Sequence, residues 1–358
     1  MECKPDFNRF IMAANHREAD RVPLCEGTIG YAIQSRFLGC EVKPEDLASQ
    51  VRFYAEAGYD YFPVVIALIR PGKVTEESKI TRLLKKMVLE ENPNETDPKK
   101  WNLECTSFIH DRIDFERFPW HAAEIDYQQL EDVQELLPEG MKVMAINGKI
   151  FTLTWMLMGF ENFCMKLMLE PELVQDVLEK VADIHFRALD AILSKEFVGA
   201  VRVTDDLAFG SGPIVDPELF KRFVLPWYRK MADKCHERGR LFIMHTDGDV
   251  SELMEDLIDT GVDVLHPVDP TCMDIFKVKR KWGSRISLNG NVPNEMLRNG
   301  SAEDVRRYTL MLLKEVAPGG GYFLGAGNSV PDWSNFENYM IMRETAIKEG
   351  AYPIIVKI

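Results

Sequence analysis

The sequence predicts a single (β/α)8 barrel, the TIM-barrel fold of the α/β class, that spans residues 1–358 as one domain. Short apolar runs alternate with longer helical segments along the chain, and this alternation is typical of a parallel sheet covered by helices. Eight such runs are present, which is the strand number of a closed barrel. They cover residues 22–25, 59–66, 142–146, 199–204, 240–244, 262–266, 285–288 and 321–324.

Two of the intervening helices have clear start signals. The helix predicted over 171–193 opens with Pro171, and proline is favoured in the first turn because its fixed φ suits a helix. The helix predicted over 216–238 opens with Asp216, a good N-cap, followed by Pro217. Both helices therefore have defined boundaries in the sequence.

Residues 73–118 interrupt the alternation. This stretch is polar and contains turn signals such as Asp97-Pro98. We interpret it as an insertion after the second strand, in the form of a small β-excursion over one mouth of the barrel.

Composition narrows the classes of function. The formal charge is −14, from 57 acidic and 43 basic residues, and no block of five like charges occurs, so a nucleic-acid or membrane surface is not expected. The seven cysteines are scattered without a C-x-x-C pair, and neither an export signal nor a run of 18 apolar residues is visible. These features favour a reduced, cytoplasmic location. Dinucleotide, Walker, zincin and serine-hydrolase motifs are absent from the sequence.

Active sites of such barrels lie at the carboxyl ends of the strands. Polar side chains follow seven of the eight runs, which predicts an acidic funnel lined with amides. The predicted substrate-binding residues are Glu26, Asn147, Asn289, Asn291 and Asn328, and the other polar side chains at these ends are Asp205, Asp206, His245, Asp247 and Asp269.

The strongest local pattern is His245-Thr246-Asp247-Gly248 at the end of the fifth run. An imidazole and a carboxylate two residues apart can bind one divalent metal ion or share a proton. The alternative is that His245 forms a hydrogen bond inside the barrel and Asp247 caps the next helix. Both interpretations stay open from these residues alone.

Asp205 and Asp206 follow the fourth run, and adjacent residues at a strand end point to opposite sides. We predict that Asp205 serves as a cap or turn residue and that Asp206 joins His245 and Asp247 as a catalytic and metal-binding group. Asn289 and Asn291 either bind substrate through their amides or close a turn.

Five segments in the expected order resemble the uroporphyrinogen decarboxylase superfamily, over nearly the whole chain. They are Arg9-Phe10 with Asp20-Arg21-Val22-Pro23, Asp216-Pro217-Glu218 with Val224-Leu225-Pro226, His245-x-Asp-Gly with Gly261-Val-Asp263, Leu288-Asn-Gly-Asn291, and Gly325-Ala-Gly327. The resemblance implies the uroporphyrinogen decarboxylase-like (β/α)8 barrel.

The chain departs from both main branches of that superfamily. The decarboxylases carry arginines after the first strand, an Asp after the second and a His near the last Gly-x-Gly, whereas here residues 25–30 lack arginine and Ala67 and Ala326 stand at the other places. The corrinoid-dependent methyltransferases bind zinc through His-x-Cys and a later Cys, where this chain has His245, Asp247 and Ala326.

The closest similarity in character is to methyltransferases of the O-demethylase type. These enzymes take a methyl group from an aryl methyl ether and pass it to cob(I)alamin on a separate corrinoid protein. The resemblance implies zinc or an acid at the ether oxygen, supplied by His245 and Asp247 with Asp206 or Glu26. The chain has no Asp-x-His-x-x-Gly motif, so cobalamin is expected on the partner.

Two other interpretations remain. The protein is a decarboxylase of a different carboxylate substrate, or a metal-binding barrel without turnover. The sequence leaves the donor, the presence of metal and the oligomeric state open.

Overall fold

The centre of the molecule is a parallel β-sheet. The structure is a computed structural model that describes residues 4–66, 107–120 and 125–355. The strands of the described residues are Tyr61–Val65 (β1), Lys142–Ile146 (β2), Val198–Thr204 (β3), Ala208–Phe209 (β4), Gly212–Pro213 (β5), Leu241–His245 (β6), Val264–His266 (β7), Ser287–Asn289 (β8) and Tyr322–Phe323 (β9).

Seven of these strands form one sheet in the order β1-β2-β3-β6-β7-β8-β9, and every ladder is parallel. From β2 onward, helices connect each strand of this sheet to the next, as parallel neighbours require. Strands β4 and β5 form a separate antiparallel hairpin. The predicted α/β class with a parallel sheet is confirmed.

The sheet curls so that its first and last strands approach each other. The ring of Phe10 lies 5.1 Å from that of Tyr61 in β1 and 4.7 Å from that of Phe323 in β9. One aromatic side chain therefore contacts both outer strands of the sheet. The curl gathers the carboxyl ends of the strands around one region, as the barrel prediction requires.

The first predicted strand is reduced to a single bridge. Leu24 pairs in parallel with Leu324, next to β9, and the Cys25 N–H donates to the Leu324 carbonyl at 2.9 Å. Toward β1, the contact between described residues runs through the Tyr61 hydroxyl, which lies 2.8 Å from both the backbone N and O of Glu26. The described residues thus show seven of the eight predicted strands in one sheet and the first predicted run as a single bridge, so the closed eight-stranded barrel stays a prediction.

The helices of the described residues surround the sheet. Their bounds are Asn8–Ala14 (α1), Tyr31–Leu38 (α2), Leu47–Glu56 (α3), Arg112–Arg117 (α4), Gln128–Asp132 (α5), Ile150–Met158 (α6), Phe160–Leu169 (α7), Pro171–Leu193 (α8), Pro217–Phe223 (α9), Leu225–Glu237 (α10), Met254–Asp259 (α11), Ile275–Trp282 (α12), Asn294–Asn299 (α13), Ala302–Glu315 (α14) and Phe336–Glu349 (α15), with a 3-10 turn over Val133–Leu136.

The predicted boundaries of α8 are confirmed, with Pro171 in its first turn. The helix predicted over 216–238 is instead two helices, α9 and α10. They break at Val224 because Pro226 has no N–H to donate and crowds the preceding turn. The Asp216 cap is confirmed, since its side chain accepts a hydrogen bond from the Glu218 N–H at 2.8 Å.

Most of the predicted insertion over 73–118 lies outside the described residues, as does Ala67. The described end of that range contains α4, which Asp111 caps by accepting from the Asp114 N–H at 2.9 Å. Among the helices that the structure describes, none is long and apolar enough to cross a membrane.

Candidate functional site

The candidate site lies where three neighbouring strands end. In the register of the sheet, Thr204 of β3 stands beside His245 of β6, and His245 stands beside His266 of β7. His245 is the last residue of its strand, and Asp205 and Asp206 directly follow Thr204. The parallel ladders therefore place the predicted polar residues at one edge of the sheet.

Three predicted site residues come together there. One ligand atom each from Asp206, His245 and Asp247 can be chosen so that all lie within 4.8 Å of one another. His245 Nε2 is 4.0 Å from Asp247 Oδ1, and the Asp247 N–H donates to Asp206 Oδ1 at 3.1 Å. Asp206 is exposed, so the cluster faces solvent on one side.

The loop after β6 is held by close packing against the β4–β5 hairpin. Gly248 has a φ of +86°, and a Cβ there would lie 2.3 Å from the Ala208 carbonyl oxygen. The Asp249 N–H donates to the Phe209 carbonyl at 2.9 Å, and the Gly248 N–H donates to Asp269 Oδ2 at 3.1 Å. Glycine is required at this point because both the dihedral angle and the space exclude a side chain.

The Asp247 carboxylate is fixed from the opposite side of the mouth. Asn328 Nδ2 donates to both of its oxygens, at 3.0 and 2.9 Å. Although 43% of its side chain is exposed, the pKa of Asp247 is raised, because the surrounding protein limits hydration of the carboxylate and because Asp206 and Asp269 are negative neighbours. Asp247 is thus able to hold a proton more readily than an isolated aspartate.

His245 also has a partner on its inner side. Its Nδ1 lies 2.7 Å from Nδ1 of His266, which is 0% exposed. Burial, together with His245 and the Arg202 guanidinium, holds the pKa of His266 well below its usual range, so this ring is neutral. Sequence reasoning missed His266, although a histidine ending the sixth predicted run was a visible signal.

Asp205 faces away from the cluster. Its carboxylate accepts hydrogen bonds from the Phe151 and Thr152 N–H groups at the start of α6, both at 2.7 Å, and from the Tyr228 hydroxyl at 2.8 Å. The predicted capping role of Asp205 is confirmed, and the cap serves the helix that follows the neighbouring strand.

The structure places Glu26 in the interior. It is fully buried, and its Oε2 accepts from the Ala326 N–H at 2.9 Å. Burial raises the pKa of Glu26 to about 8. The guanidinium of Arg202, which is also buried, donates to the carbonyls of Glu26 and Gly27 at 3.1 and 3.0 Å and so holds this turn.

The predicted amides are bonded mainly to neighbouring backbone. Asn147 Nδ2 donates to the His185 carbonyl at 3.1 Å, and its Oδ1 lies 3.3 Å from His185 Nδ1. Asn289 donates to the carbonyls of Cys25 and Phe323, and Asn291 donates to that of Val268. Of these four amides, Asn328 is the one whose side chain bonds to a residue of the cluster, Asp247. Substrate contacts of the other three stay predictions.

An aromatic rim of Phe209, Phe160 and Trp155 begins in the hairpin that packs against the loop after β6, and sequence reasoning did not find Phe209 or Phe160. Phe209, in the hairpin three residues after Asp206, is 55% exposed. Its ring contacts that of Phe160 at 6.5 Å between centroids, and Phe160 contacts Trp155 at 5.6 Å. An exposed aromatic side chain beside a polar site is a surface suited to a planar apolar group.

Comparison with solved structures agrees with this fold. A methyltransferase from Methanosarcina mazei is similar with a TM-score of 0.67 and 17% sequence identity, and the similarity covers 95% of this chain and 97% of that one. At this level of identity the similarity shows a shared fold.

Comparison of the sequence with known proteins shows to which family the chain belongs. A protein named uroporphyrinogen decarboxylase from Aeromonas salmonicida (strain A449) is 25% identical over 197 residues, and the chain spans about half the length of this curated relative, 53%. The sequence model of uroporphyrinogen decarboxylase (URO-D) matches residues 111–348, which run from α4 into α15 and include Asp206, His245 and Asp247. This match confirms the resemblance predicted from sequence motifs, and the chain belongs to the uroporphyrinogen decarboxylase (URO-D) family.

Proposed function

We propose that the protein is a methyltransferase that moves a methyl group from an aryl methyl ether to the cob(I)alamin of a separate corrinoid protein. The observation that carries the proposal is the cluster of Asp206, His245 and Asp247, whose ligand atoms lie within 4.8 Å of one another at the mouth of the sheet. Membership of the family and the fold shared with a methyltransferase agree with this function.

The donor set of the cluster suits zinc. One imidazole nitrogen and two carboxylates are ligands that zinc accepts, and catalytic zinc sites keep three protein ligands and one open position. His245, Asp247 and Asp206 would hold the ion, and Asn328 would orient the Asp247 carboxylate. When bound, zinc would supply a Lewis acid for the ether oxygen of the donor.

Side chains of the cluster can also act on the ether oxygen that leaves as phenolate. In the transfer, the bond between the methyl carbon and the ether oxygen breaks, its electron pair stays on the phenolate oxygen, and cob(I)alamin provides the pair for the new bond to carbon. A proton on Asp247 is the alternative to zinc, because a carboxylate that binds the ion is ionised. In the metal-free site, Asp247, whose pKa is raised, can hold a proton for that oxygen. Its negative neighbours Asp206 and Asp269 favour that protonated form.

The aromatic rim supports an aryl donor. Phe209 is 55% exposed in the hairpin that packs against the loop of Asp247, and its ring contacts that of Phe160, which in turn contacts Trp155. Offset or edge-on packing against such rings favours a planar aromatic substrate by about 0.5–1.5 kcal/mol beyond area burial. A methylated alkylamine would gain less from this surface.

A partner protein would bring the methyl acceptor. The sequence has no Asp-x-His-x-x-Gly corrinoid-binding motif, so the proposal assigns cobalamin to a separate corrinoid protein. The exposed side of Asp206 leaves the cluster open toward such a partner.

The test is an anaerobic absorbance assay with the purified chain, zinc, cob(I)alamin and a panel of methoxylated aromatics and methylamines. We expect cob(I)alamin to convert to methylcobalamin with a methoxylated aromatic, and His245→Ala and Asp247→Asn to abolish conversion. Asp259→Asn is the matched control, because that carboxylate is 69% exposed and pairs with Arg285 away from the cluster. No conversion with any donor, with corrinoid proteins also supplied, contradicts the proposal.

Decarboxylation is the second candidate. The curated relative carries that name, and Glu26, with its pKa near 8, offers a buried acid that is protonated at neutral pH and could return a proton to the carbon that loses carbon dioxide. Release of carbon dioxide from a carboxylate substrate, without dependence on corrinoid, would favour this candidate. Metal binding without either reaction would favour a non-catalytic barrel.

A further inference from the structure

The two histidines at the ends of β6 and β7 form a direct pair. Their Nδ1 atoms are 2.7 Å apart, and their ring centroids are 4.9 Å apart at an interplanar angle of 35°. Two ring nitrogens at this distance share one hydrogen, because two N–H groups would repel and two lone pairs would not attract. His245 is therefore held through Nδ1 and has Nε2 free for the cluster.

The geometry of His245 follows from this bond. Its Nε2 lies 4.0 Å from Asp247 Oδ1, and a ring nitrogen of His245 also lies within 4.8 Å of a carboxylate oxygen of Asp206. His266 is fully buried at the end of a strand, so it gives His245 a rigid partner. A histidine that ligates a metal usually donates its other ring N–H to such a partner, which fixes the orientation of the ring.

We propose that His266 is a positioning residue for the metal site: by accepting the Nδ1 hydrogen of His245, it holds that ring with the Nε2 lone pair turned toward Asp206 and Asp247. This inference rests on the proposed function, since it assigns a supporting residue to the same site. His266 contacts neither donor nor metal, and it acts through the orientation of His245.

Three substitutions separate this role from simple packing. Asn at position 266 places an amide near the site of Nδ1 and keeps a hydrogen-bond acceptor for His245. Gln at position 266 places its amide near the site of Nε2 and loses that acceptor at similar polarity. His266→Ala removes both polar positions. If His266 only filled space, zinc affinity would fall no more for the larger Gln than for Asn.

The experiment measures zinc affinity of the purified chain and its variants by competition with a chromogenic chelator, and the visible spectrum of Co²⁺ bound in place of zinc. We expect His266→Asn to stay within a fewfold of the unsubstituted protein, and His266→Gln and His266→Ala to bind 10- to 100-fold more weakly with an altered Co²⁺ spectrum, the usual effect of losing such a partner. Equal affinity of all variants, or equal losses for Asn and Gln, would overturn the inference.

A second measurement needs neither metal nor a stable variant. In the metal-free protein with ¹⁵N-labelled histidine, a nitrogen–nitrogen coupling across the hydrogen bond should join the Nδ1 atoms of the two rings, and its absence would overturn the inference. Failure of methyl transfer with the coupling and the zinc pattern intact would count against the proposed function alone. A protein that shows the coupling but binds no zinc would overturn both the metal in the proposed function and the metal role of His266.

Discussion

Asp205 and Asp206 are adjacent in the chain, yet their carboxylates serve opposite sides of the strand end. Asp205 accepts hydrogen bonds from two N–H groups of α6 and from the Tyr228 hydroxyl, whereas Asp206 accepts from the Asp247 N–H in the exposed cluster. Asp205 therefore has a structural role and Asp206 a candidate chemical role, because successive side chains at the end of β3 point to opposite sides.

This relationship predicts opposite effects of substitution at the two positions. Asp205→Ala leaves three donors without an acceptor and should lower the free energy of unfolding by about 2–4 kcal/mol, while Asp206→Ala, on the surface, should change it by less than about 1 kcal/mol. Asp206→Ala should instead weaken zinc binding by at least the roughly 10- to 100-fold typical of losing an outer-shell partner, because it removes a proposed ligand. Urea unfolding and zinc titration of both variants check the prediction. Equal stability losses would contradict it.

Glu26 should make the protein less stable as the pH rises. Its pKa is about 8 in the folded state against an ordinary value of 4.5, so between these values the folded protein keeps a proton that the unfolded chain has lost. The free energy of unfolding should therefore fall with increasing pH across this window, by at most about 1.4 kcal/mol per pH unit, and level off above it. Glu26→Gln removes this contribution and keeps an acceptor for the Ala326 N–H.

The measurement is urea unfolding of both proteins at pH 5, 6, 7 and 8. The difference in unfolding free energy, unsubstituted protein minus Glu26→Gln, should decrease at each step. Parallel curves for the two proteins would mean that Glu26 does not retain its proton in the folded state.

Gly248→Ala should destabilise the loop that carries Asp247. The new Cβ would meet the Ala208 carbonyl oxygen at 2.3 Å in a backbone with φ of +86°, whereas Gly39→Ala has a φ of +68° and nothing within 4 Å of the new atom. Gly39→Ala should lower the free energy of unfolding by about 1 kcal/mol, because alanine disfavours a positive φ. Gly248→Ala should lower it by about 1–3 kcal/mol more and should also weaken zinc binding. Thermal unfolding with and without zinc checks both. Equal losses of unfolding free energy in the two variants would show that the contact between the new Cβ and the Ala208 carbonyl relaxes at no cost.

Phe209→Ala should change the choice of donor. Removing the exposed ring should raise KM for a methoxylated aromatic about 3- to 10-fold, in line with about 0.5–1.5 kcal/mol for an aromatic contact, and leave KM for a methylamine unchanged if that donor is accepted. Phe209→Tyr keeps the ring and should behave like the unsubstituted protein. An equal rise in KM for all donors would indicate that Phe209 instead supports the loop of Asp249, whose N–H donates to the Phe209 carbonyl.

The sequence by itself determined the periodic features of this protein. The alternation of apolar runs and helices predicted the parallel α/β sheet, the boundaries of α8 and the cap at Asp216, because these depend on neighbours within a few residues. It also placed His245, Asp247 and Asp206 at strand ends, and the parallel register then brought them together.

The tertiary structure alone decided the partners of those residues. Asn328 reaches Asp247 across 81 positions of the chain, and Asn147 is engaged by His185 of a distant helix turn, although both amides follow predicted strands. The His245–His266 pair likewise depends on the register between β6 and β7. Such contacts depend on how strands align and how side chains turn at irregular strand ends, and no local pattern of residues encodes that alignment.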